Sequence, residues 1–430
     1  EGGNMKSLIL CAALWFAANL YASPLEEIID QHPLVQSQSA TAGASRHAAR
    51  STMFGYPDPE IEISRSRGRE DMIQALPDQM VDRKKITGSE FEVRQPIPFP
   101  GKGTVESLRL GAKADEETLR IRLIKNRMAR EFLMLRTRER LIQARIKLNS
   151  QTQERLRTLE TLARIRYETG KTPLVDLSMV HVRESEAALA VNQAQSEYAS
   201  VHRAVEYYTT SSGETHNMSD DQVDSELAEL ETRVRNLAAK FEEHSLEMKM
   251  AESQIKQGDL DDTRAWMNYL PDFEVFAGYG KENKSSAGLR DWTSEKFYKA
   301  GVTIRVPLWT AFTNHWNILE KSGNLEAARL RLADARLKAK TDLQASLDRM
   351  DGIKKGLRLH DQSLIPGAMN AHEAARISYA NGKADFSIVI QSLQVHFDHE
   401  LSRLEHELEF TAELLKAAES LDAFFPGKDK

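Results

Sequence analysis

The sequence predicts a mainly α protein with a small β part: two copies of a long helical hairpin, each carrying a pair of strands. Three observations lead there. The stretch ARIRYETGKTPLVDL, Ala163 to Leu177, returns 212 positions later as ARISYANGKADFSIV, Ala375 to Val389, so that Ala163, Arg164, Ile165, Tyr167, Gly170 and Lys171 recur as Ala375, Arg376, Ile377, Tyr379, Gly382 and Lys383. Each copy separates two long, charged, Leu/Ala-rich patterns of helical period, and its glycine has the position of a left-handed helix C-cap at a hairpin tip. Between the helical patterns lie four short segments whose period is 2.

The chain has 430 residues, 28% of them charged and 7% aromatic, with a mean hydropathy of -0.50. That is thin for one conventional core and suits long helices with narrow apolar seams. The net charge of -6 arises from interspersed signs and offers no basic footprint for nucleic acid. Lys6, the apolar run from Leu8 to about Ala18, and the small residues Ala22 and Ser23 read as a secretory signal peptide over 1-22, with 1-4 as an upstream extension. Cys11, the one cysteine, lies inside that run, so the processed chain is expected to hold neither disulfide nor thiolate site. No other stretch approaches the roughly 18 apolar residues of a spanning helix. If the chain enters a membrane, it does so as strands.

The first repeat is expected over 23-212, a linker over 213-223, the second repeat over 224-425 and a tail over 426-430. His32, Pro33 and Leu34 open a helix to about Phe54, with Pro33 suited to a first turn. Its counterpart opens at His244, Ser245 and Leu246, runs to about Trp266, and is expected to extend back toward Asp224. The first strand sets Ile61 and Ile63 against Glu60, Glu62 and Ser64 and decays at Arg65. The second sets Phe91, Val93, Gln95, Ile97 and Phe99 against Glu90, Glu92 and Arg94. In the third, Phe273, Val275, Ala277 and Tyr279 oppose Asp272, Glu274 and Gly278. The fourth sets Ala300, Val302, Ile304, Val306 and Leu308 against Lys299, Gly301, Thr303, Arg305 and Pro307. A long helix follows each strand pair, about Thr104 to Arg166 and about Phe312 to Ser378, and a shorter one follows each tip, Pro173 to about Ser212 and Asp385 to about Phe424. The first long helix, at about 1.5 Å per residue, spans roughly 95 Å, close to the summed length of the two shorter helices of its half. Each half can therefore be one long helix beside two stacked shorter ones.

Alternating strands of about nine to eleven residues match a tilted bilayer crossing. One chain cannot close four of them, and an open edge in lipid leaves backbone groups unpaired at several kcal/mol each. Closure is left to symmetry. Two chains give an eight-stranded barrel filled by side chains, and three give a 12-stranded barrel, the smallest with a channel. The faces follow from the alternation, with Val302, Ile304 and Val306 toward lipid and Thr303 and Arg305 toward water. Trp266, Tyr269, Trp292, Trp309 and Trp316 are spaced like an interfacial belt. Soluble hairpins with ordinary buried aromatics remain the alternative. Ala112, Ala114, Ala188, Ala190, Ala194, Ala327, Ala328 and Ala335 permit close helix approach, as a trimeric α-barrel would need, although a solid coiled-coil rod is also compatible.

HPLV, YPDPEIEIS and YLPDFEVFAGYG, QPIPFPGKG and AGVTIRVPLW, and RYETGKTPLVDL with SYANGKADFSIV occur in an order that resembles the TolC-like outer membrane efflux protein family over essentially the whole processed chain. The QPIPFPGK form is closer to the metal-cation efflux branch. The resemblance implies a homotrimer in the outer membrane of a Gram-negative bacterium, extending into the periplasm, that takes substrate from an inner membrane pump and a periplasmic adaptor. It also implies that Tyr167, Gly170, Lys171, Tyr379, Gly382 and Lys383 form adaptor-docking tips, and that Asp176 and Tyr379 belong to links that hold the closed end shut. The second tip departs from the family pattern, with Ala384 at the basic position and Ile388 and Gln391 at acidic ones. A carboxylate ring there is thereby in doubt, and Asp176 reads equally as a helix-start carboxylate favoured by the dipole.

The sequence contains no nucleophile elbow, phosphate loop or HExxH, and the halves share no His/Asp/Ser constellation, so no enzyme and no cofactor is expected. His396, His399 and His406 read as histidines scattered on a charged helix, so no metal site is expected. The alternatives in other classes are a periplasmic coiled-coil scaffold or adaptor, which needs no lipid-facing strands, and a secreted oligomeric pore-former.

Overall fold

The computed structural model describes residues 24–54, 57–72, 82–210, 218–285 and 292–425. The expected signal peptide, residues 213–217 of the expected linker and the tail lie outside these residues, as does the side chain of Trp292; the last four linker positions, from Asp220, are already helical. In chain order the elements are α1 (Pro24–Asp30), α2 (Pro33–Phe54), β1 (Glu60–Met72), β2 (Asp82–Ile97), α3 (Lys102–Glu168), α4 (Leu174–Thr209), α5 (Asp220–Ala238), α6 (Phe241–His244), α7 (Leu246–Met267), β3 (Asp272–Ser285), β4 (Trp292–Arg305) and α8 (Leu308–Leu359). A π-turn (His360–Leu364) leads into α9 (Ile365–Ala380), and α10 (Phe386–Ser420) comes last. The mainly α fold with a small β part is what the periodicities predict. No helix of the described residues is long and apolar enough to cross a membrane.

The chain divides into two compact units. The first comprises the described parts of Glu1–Ala40, Thr118–Met250 and Ala333–Lys430. It has two apolar cores. One gathers Leu25, Ile29, Phe132, Leu133, Leu230, Met350, Leu414 and Phe424 from α1, α3, α5, α8, α10 and the residues after α10. The other gathers Leu159, Ala163, Val180, Tyr379, Phe386 and Val389 around the two hairpin turns. Both are strips along helix seams, the form that amphipathic helices can bury.

Two departures from the expected helices have local causes. The helix preceding the third strand is not continuous back toward Asp224. It breaks between Ala238 and Leu246, where Ser245 is extended at φ -63, ψ 117 and its carbonyl accepts the first bond of α7 from the Lys249 N–H at 3.1 Å, as an N-cap does. The second long helix widens at His360–Leu364, where the Ile365 N–H reaches back to the His360 carbonyl. Pro366 comes at once after it, and its ring has no N–H and collides with the carbonyl four residues back, so the widened turn absorbs what an α-turn cannot.

The second unit comprises the described parts of Thr41–Glu117 and Ala251–Leu332 and holds the sheet. Its strands pair antiparallel in the order β1-β2-β3-β4, leaving β1 and β4 as edges within the chain. The strands have 13, 16, 14 and 14 residues, longer than the apolar alternation predicts. β1 does not decay at Arg65, because the ladder continues through Arg65↔Ser89 and Arg67↔Thr87 with polar side chains. The fourth strand ends sooner than expected. Val306 lies one residue beyond β4 and Leu308 opens α8, because the ladder stops at Asp272↔Arg305 and Pro307 has no N–H to continue it. Lys102 ties the start of α3 to this end of the sheet, 2.8 Å from the Asp272 carboxylate and 3.0 Å from the Leu270 carbonyl.

Candidate functional site: the hairpin tips and the sheet faces

Both tips end in the same backbone device. The Lys171 N–H reaches the Arg166 carbonyl at 2.8 Å and the Gly170 N–H reaches Tyr167 at 2.9 Å, while Lys383 reaches Ser378 and Gly382 reaches Tyr379, both at 2.9 Å. Gly170 and Gly382 sit at φ 68° and 75°, the left-handed region that this Schellman closure requires. Gly170, Lys171, Gly382 and Lys383 are exposed, and Tyr167 is 42% exposed.

Tyr379 is only 2% exposed, so it is not presented outward with the other tip residues. Its ring packs against Phe386 with centroids 5.2 Å apart and lies beneath the Arg166 guanidinium, 4.5 Å from the centroid. Arg166 also donates to the Tyr379 carbonyl and, at 3.3 Å, to the Thr172 hydroxyl, which in turn lies 3.3 Å from the Tyr379 hydroxyl. The two tips are therefore clasped to each other by Arg166 and Thr172 of one and Tyr379 of the other. Sequence reasoning missed Arg166 and Thr172. Their positions in the repeat are occupied by Ser378 and Ala384 in the second tip, and that difference between otherwise similar copies was the one signal.

Asp176 is half-buried in the first turn of α4. Burial first, and then the nearby Asp385 carboxylate, push its carboxyl above the usual aspartate range, with Arg166 opposing. Tyr379 has Thr172, not Asp176, as its hydroxyl partner. Beyond the tip, His360 packs against His399 and His406 with ring centroids 5.7 and 5.2 Å apart, and burial keeps His360, His372 and His396 below the ordinary imidazole value. Among the described residues no three His, Cys, Asp or Glu side chains are placed to hold a metal ion.

The sheet is inside-out for a water-soluble protein. Ile61, Ile63, Tyr298, Val302 and Ile304 are 62%, 80%, 79%, 64% and 58% exposed, whereas Glu92 and Glu274, on the opposite face, are each 5% exposed. Register aligns the apolar face in rows, Ile61–Val93–Ala277–Ala300 and Ile63–Phe91–Tyr279–Tyr298 among them. The other face carries an ion-pair lattice in which Lys299 bridges Glu90 and Glu92, Arg94 bridges Glu62 and Glu92, and Arg305 meets Glu274. Phe276 and Phe297 on that face lie over Gly301 and Gly280 of the neighbouring strands, where an added Cβ would strike the rings. Val306, expected on the apolar face, is 59% exposed but outside the strand, and Trp266, Trp309 and Trp316 are 57%, 85% and 72% exposed on helices adjoining the sheet.

No protein-family model matches the chain, and no curated protein matches it. Solved structures do. The chain resembles the outer-membrane channel OprN with a TM-score of 0.71 and 14% identity, over 94% of this chain and 90% of that one. It resembles CusC, whose structures describe folding and transmembrane channel formation, with a TM-score of 0.71 and 12% identity over 93% and 92%. VceC, an outer membrane protein from Vibrio cholerae, gives a TM-score of 0.68 and 12% identity over 93% and 96%. The chain thus has the TolC-like fold of these proteins, as the order of its sequence motifs implied.

Proposed function

We propose that the chain is the channel subunit of an export system of the outer membrane, passing substrate delivered by an inner membrane pump and a periplasmic adaptor. The inside-out sheet carries this reading. A surface that exposes isoleucine and valine while burying glutamate is unfavourable in water and favourable where the exposed face meets lipid and the charged face lines water. The edges of β1 and β4 require partners in lipid, and further copies of the same sheet supply them. Three copies make a 12-stranded barrel with room for a channel. The fold shared with OprN, CusC and VceC supports the same reading.

The tips are the partner-facing part. Tyr167, Gly170, Lys171, Gly382 and Lys383 form the exposed docking surface, and Tyr379 acts behind it as the clasp that fixes one turn against the other. Asp176, next to Asp385, is the gate carboxylate. The test is assembly and conduction: protein solubilised in mild detergent should cross-link to three chains and form ion-conducting pores in planar bilayers. A monomer without conductance would overturn the reading.

A further inference from the structure

The apolar face of the sheet stops abruptly and gives way to a basic band. The row Ile63–Phe91–Tyr279–Tyr298 ends the apolar part, with the two tyrosine rings 5.2 Å apart. The next row on that face is Arg65–Ser89–Lys281–Lys296, and the one after it Arg67–Thr87–Asn283–Ser294. Arg65, Arg67, Lys281 and Lys296 are exposed, and none has a carboxylate within ion-pair distance among the described residues. Lys281 stands directly opposite Lys296, a cross-strand pairing of like charges that costs stability unless an anion lies between them.

The reverse face at this height differs. There Glu282 pairs with Glu295, and Lys284 lies 3.4 and 3.6 Å from their carboxylates, so no positive charge is left unpaired there. The far end of the apolar face differs too, since it runs out at Ile97–Phe273–Ile304 with no basic row beyond it. Unbalanced positive charge is thus confined to one face and one end, at the hairpin ends of the strands.

The geometry points to a docking surface for phosphate-bearing lipid headgroups, with Arg65, Arg67, Lys281 and Lys296 as the phosphate-binding groups. This rests on the reading of the sheet as membrane-spanning. A step of two residues along a strand is about 7 Å, which carries the basic row from the tyrosine row into the headgroup layer, itself roughly 5–7 Å deep on each side of the hydrocarbon. Tyrosine at the boundary with cations just outside it matches the order of ester and phosphate layers in a lipid leaflet. Lys281 and Lys296 on the adjacent strands β3 and β4 can share one phosphate, which relieves their repulsion, while Arg65 and Arg67, both on β1, face a second.

The test uses the full-length protein, wild type and the fourfold variant Arg65→Ser, Arg67→Ser, Lys281→Ser, Lys296→Ser, each in mild detergent, titrated with lipid A as a phosphorylated glycolipid probe. Wild type should bind lipid A at least tenfold more tightly than the variant, and raising salt from low to molar concentration should remove most of the difference. Lys284→Ser, on the reverse face, should bind as wild type does. Dephosphorylated lipid A should not distinguish wild type from the fourfold variant, and inorganic phosphate at the same concentration should not compete. Equal lipid A binding by wild type and variant, or competition by inorganic phosphate, overturns the proposal. Conductance in planar bilayers separates the two readings: wild type that inserts and conducts but binds lipid A no better than the variant sinks the docking surface alone. Wild type that fails to insert sinks the membrane-spanning sheet and the docking surface with it.

Discussion

Replacing Arg166 by alanine should unfasten the two hairpin tips without unfolding the helices that carry them. The side chain makes three contacts across the joint and one within its own tip. Its guanidinium lies 4.5 Å from the Tyr379 ring centroid and donates to the Tyr379 carbonyl and, at 3.4 Å, to the Ala380 carbonyl, and it donates at 3.3 Å to Thr172 beside it. A cation–π contact at a partly exposed site contributes about 0.5–1 kcal/mol, and a hydrogen bond from a charged donor about 1.5–3 kcal/mol. The Thr172 bond is long and adds little. Because the contacts share one side chain and are not additive, the expected loss is about 2–3 kcal/mol, or roughly 30- to 150-fold in the local opening equilibrium. Amide hydrogen exchange reads this directly. The Gly382 and Lys383 amides, bonded to the Tyr379 and Ser378 carbonyls, should exchange faster by that factor, while amides around Phe132 and Leu414 in the other core should not change. Arg164→Ala is the control, since Arg164 is exposed and pairs with Glu160 of its own helix at 3.0 Å. Equal exchange in Arg166→Ala and Arg164→Ala would refute the clasp.

Three other outcomes are expected. Val302→Arg, inside the apolar band, should impair barrel assembly by about 2–4 kcal/mol per chain if its face meets lipid, whereas Thr303→Arg should assemble normally; equal defects on detergent gels would show that the faces are misassigned. Asp176 has a raised pKa, so the folded tip holds its proton more readily than the unfolded chain, and the tip gains stability as pH falls through the raised value toward the ordinary 3.8. Asp176→Asn should flatten that dependence of tip hydrogen exchange on pH, and an unaltered profile would remove Asp176 as its source. Gly170→Val and Gly382→Val place a β-carbon at positive φ at a cost of roughly 1–2 kcal/mol, which should leave trimer cross-linking intact and weaken adaptor cross-linking; intact adaptor cross-linking in both would take the tips out of the docking surface.

Helix and strand identity was legible because it depends on periodicity, and the alternation that put Ile61, Val302 and Ile304 on one face is the alternation of the pleat. Strand length was not legible from the same signal. The apolar alternation of β1 ends at Arg65, but the ladder needs only backbone N–H and C=O groups, so it continues to Met72 with polar side chains. Val306 shows the converse, an apolar residue in phase with the strand but cut off by Pro307. Pro366 was visible, but a proline inside a long helical pattern is compatible with a kink, a break or a widened turn, and local sequence does not choose among them. The tip glycines were legible because a left-handed residue has few alternatives to glycine. The clasp was not, because Arg166 and Tyr379 are 213 positions apart and charged or aromatic residues on a helix do not declare their partners.

Duplication explains why one tip residue became structural while its twin did not. Tyr167 and Tyr379 occupy equivalent positions, yet one is 42% exposed and the other 2%. The residues that hold Tyr379 are Arg166 and Thr172 of the first tip and Phe386 of its own. At the repeat-equivalent positions Tyr167 is offered Ser378, Ala384 and Leu174. Serine and alanine provide no guanidinium and no hydroxyl at the required reach, and Leu174 is itself 55% exposed. A clasp therefore forms in one direction only, leaving Tyr167 on the surface and Tyr379 beneath it. The asymmetry extends to charge, because Asp176 has Ile388 as its counterpart, and its pKa is raised first by burial and then by Asp385, the N-cap residue of α10. Two tips with the same backbone closure thus carry different side-chain duties. The first supplies an exposed tyrosine, the clasping arginine and the half-buried carboxylate, and the second supplies the ring on which the arginine closes.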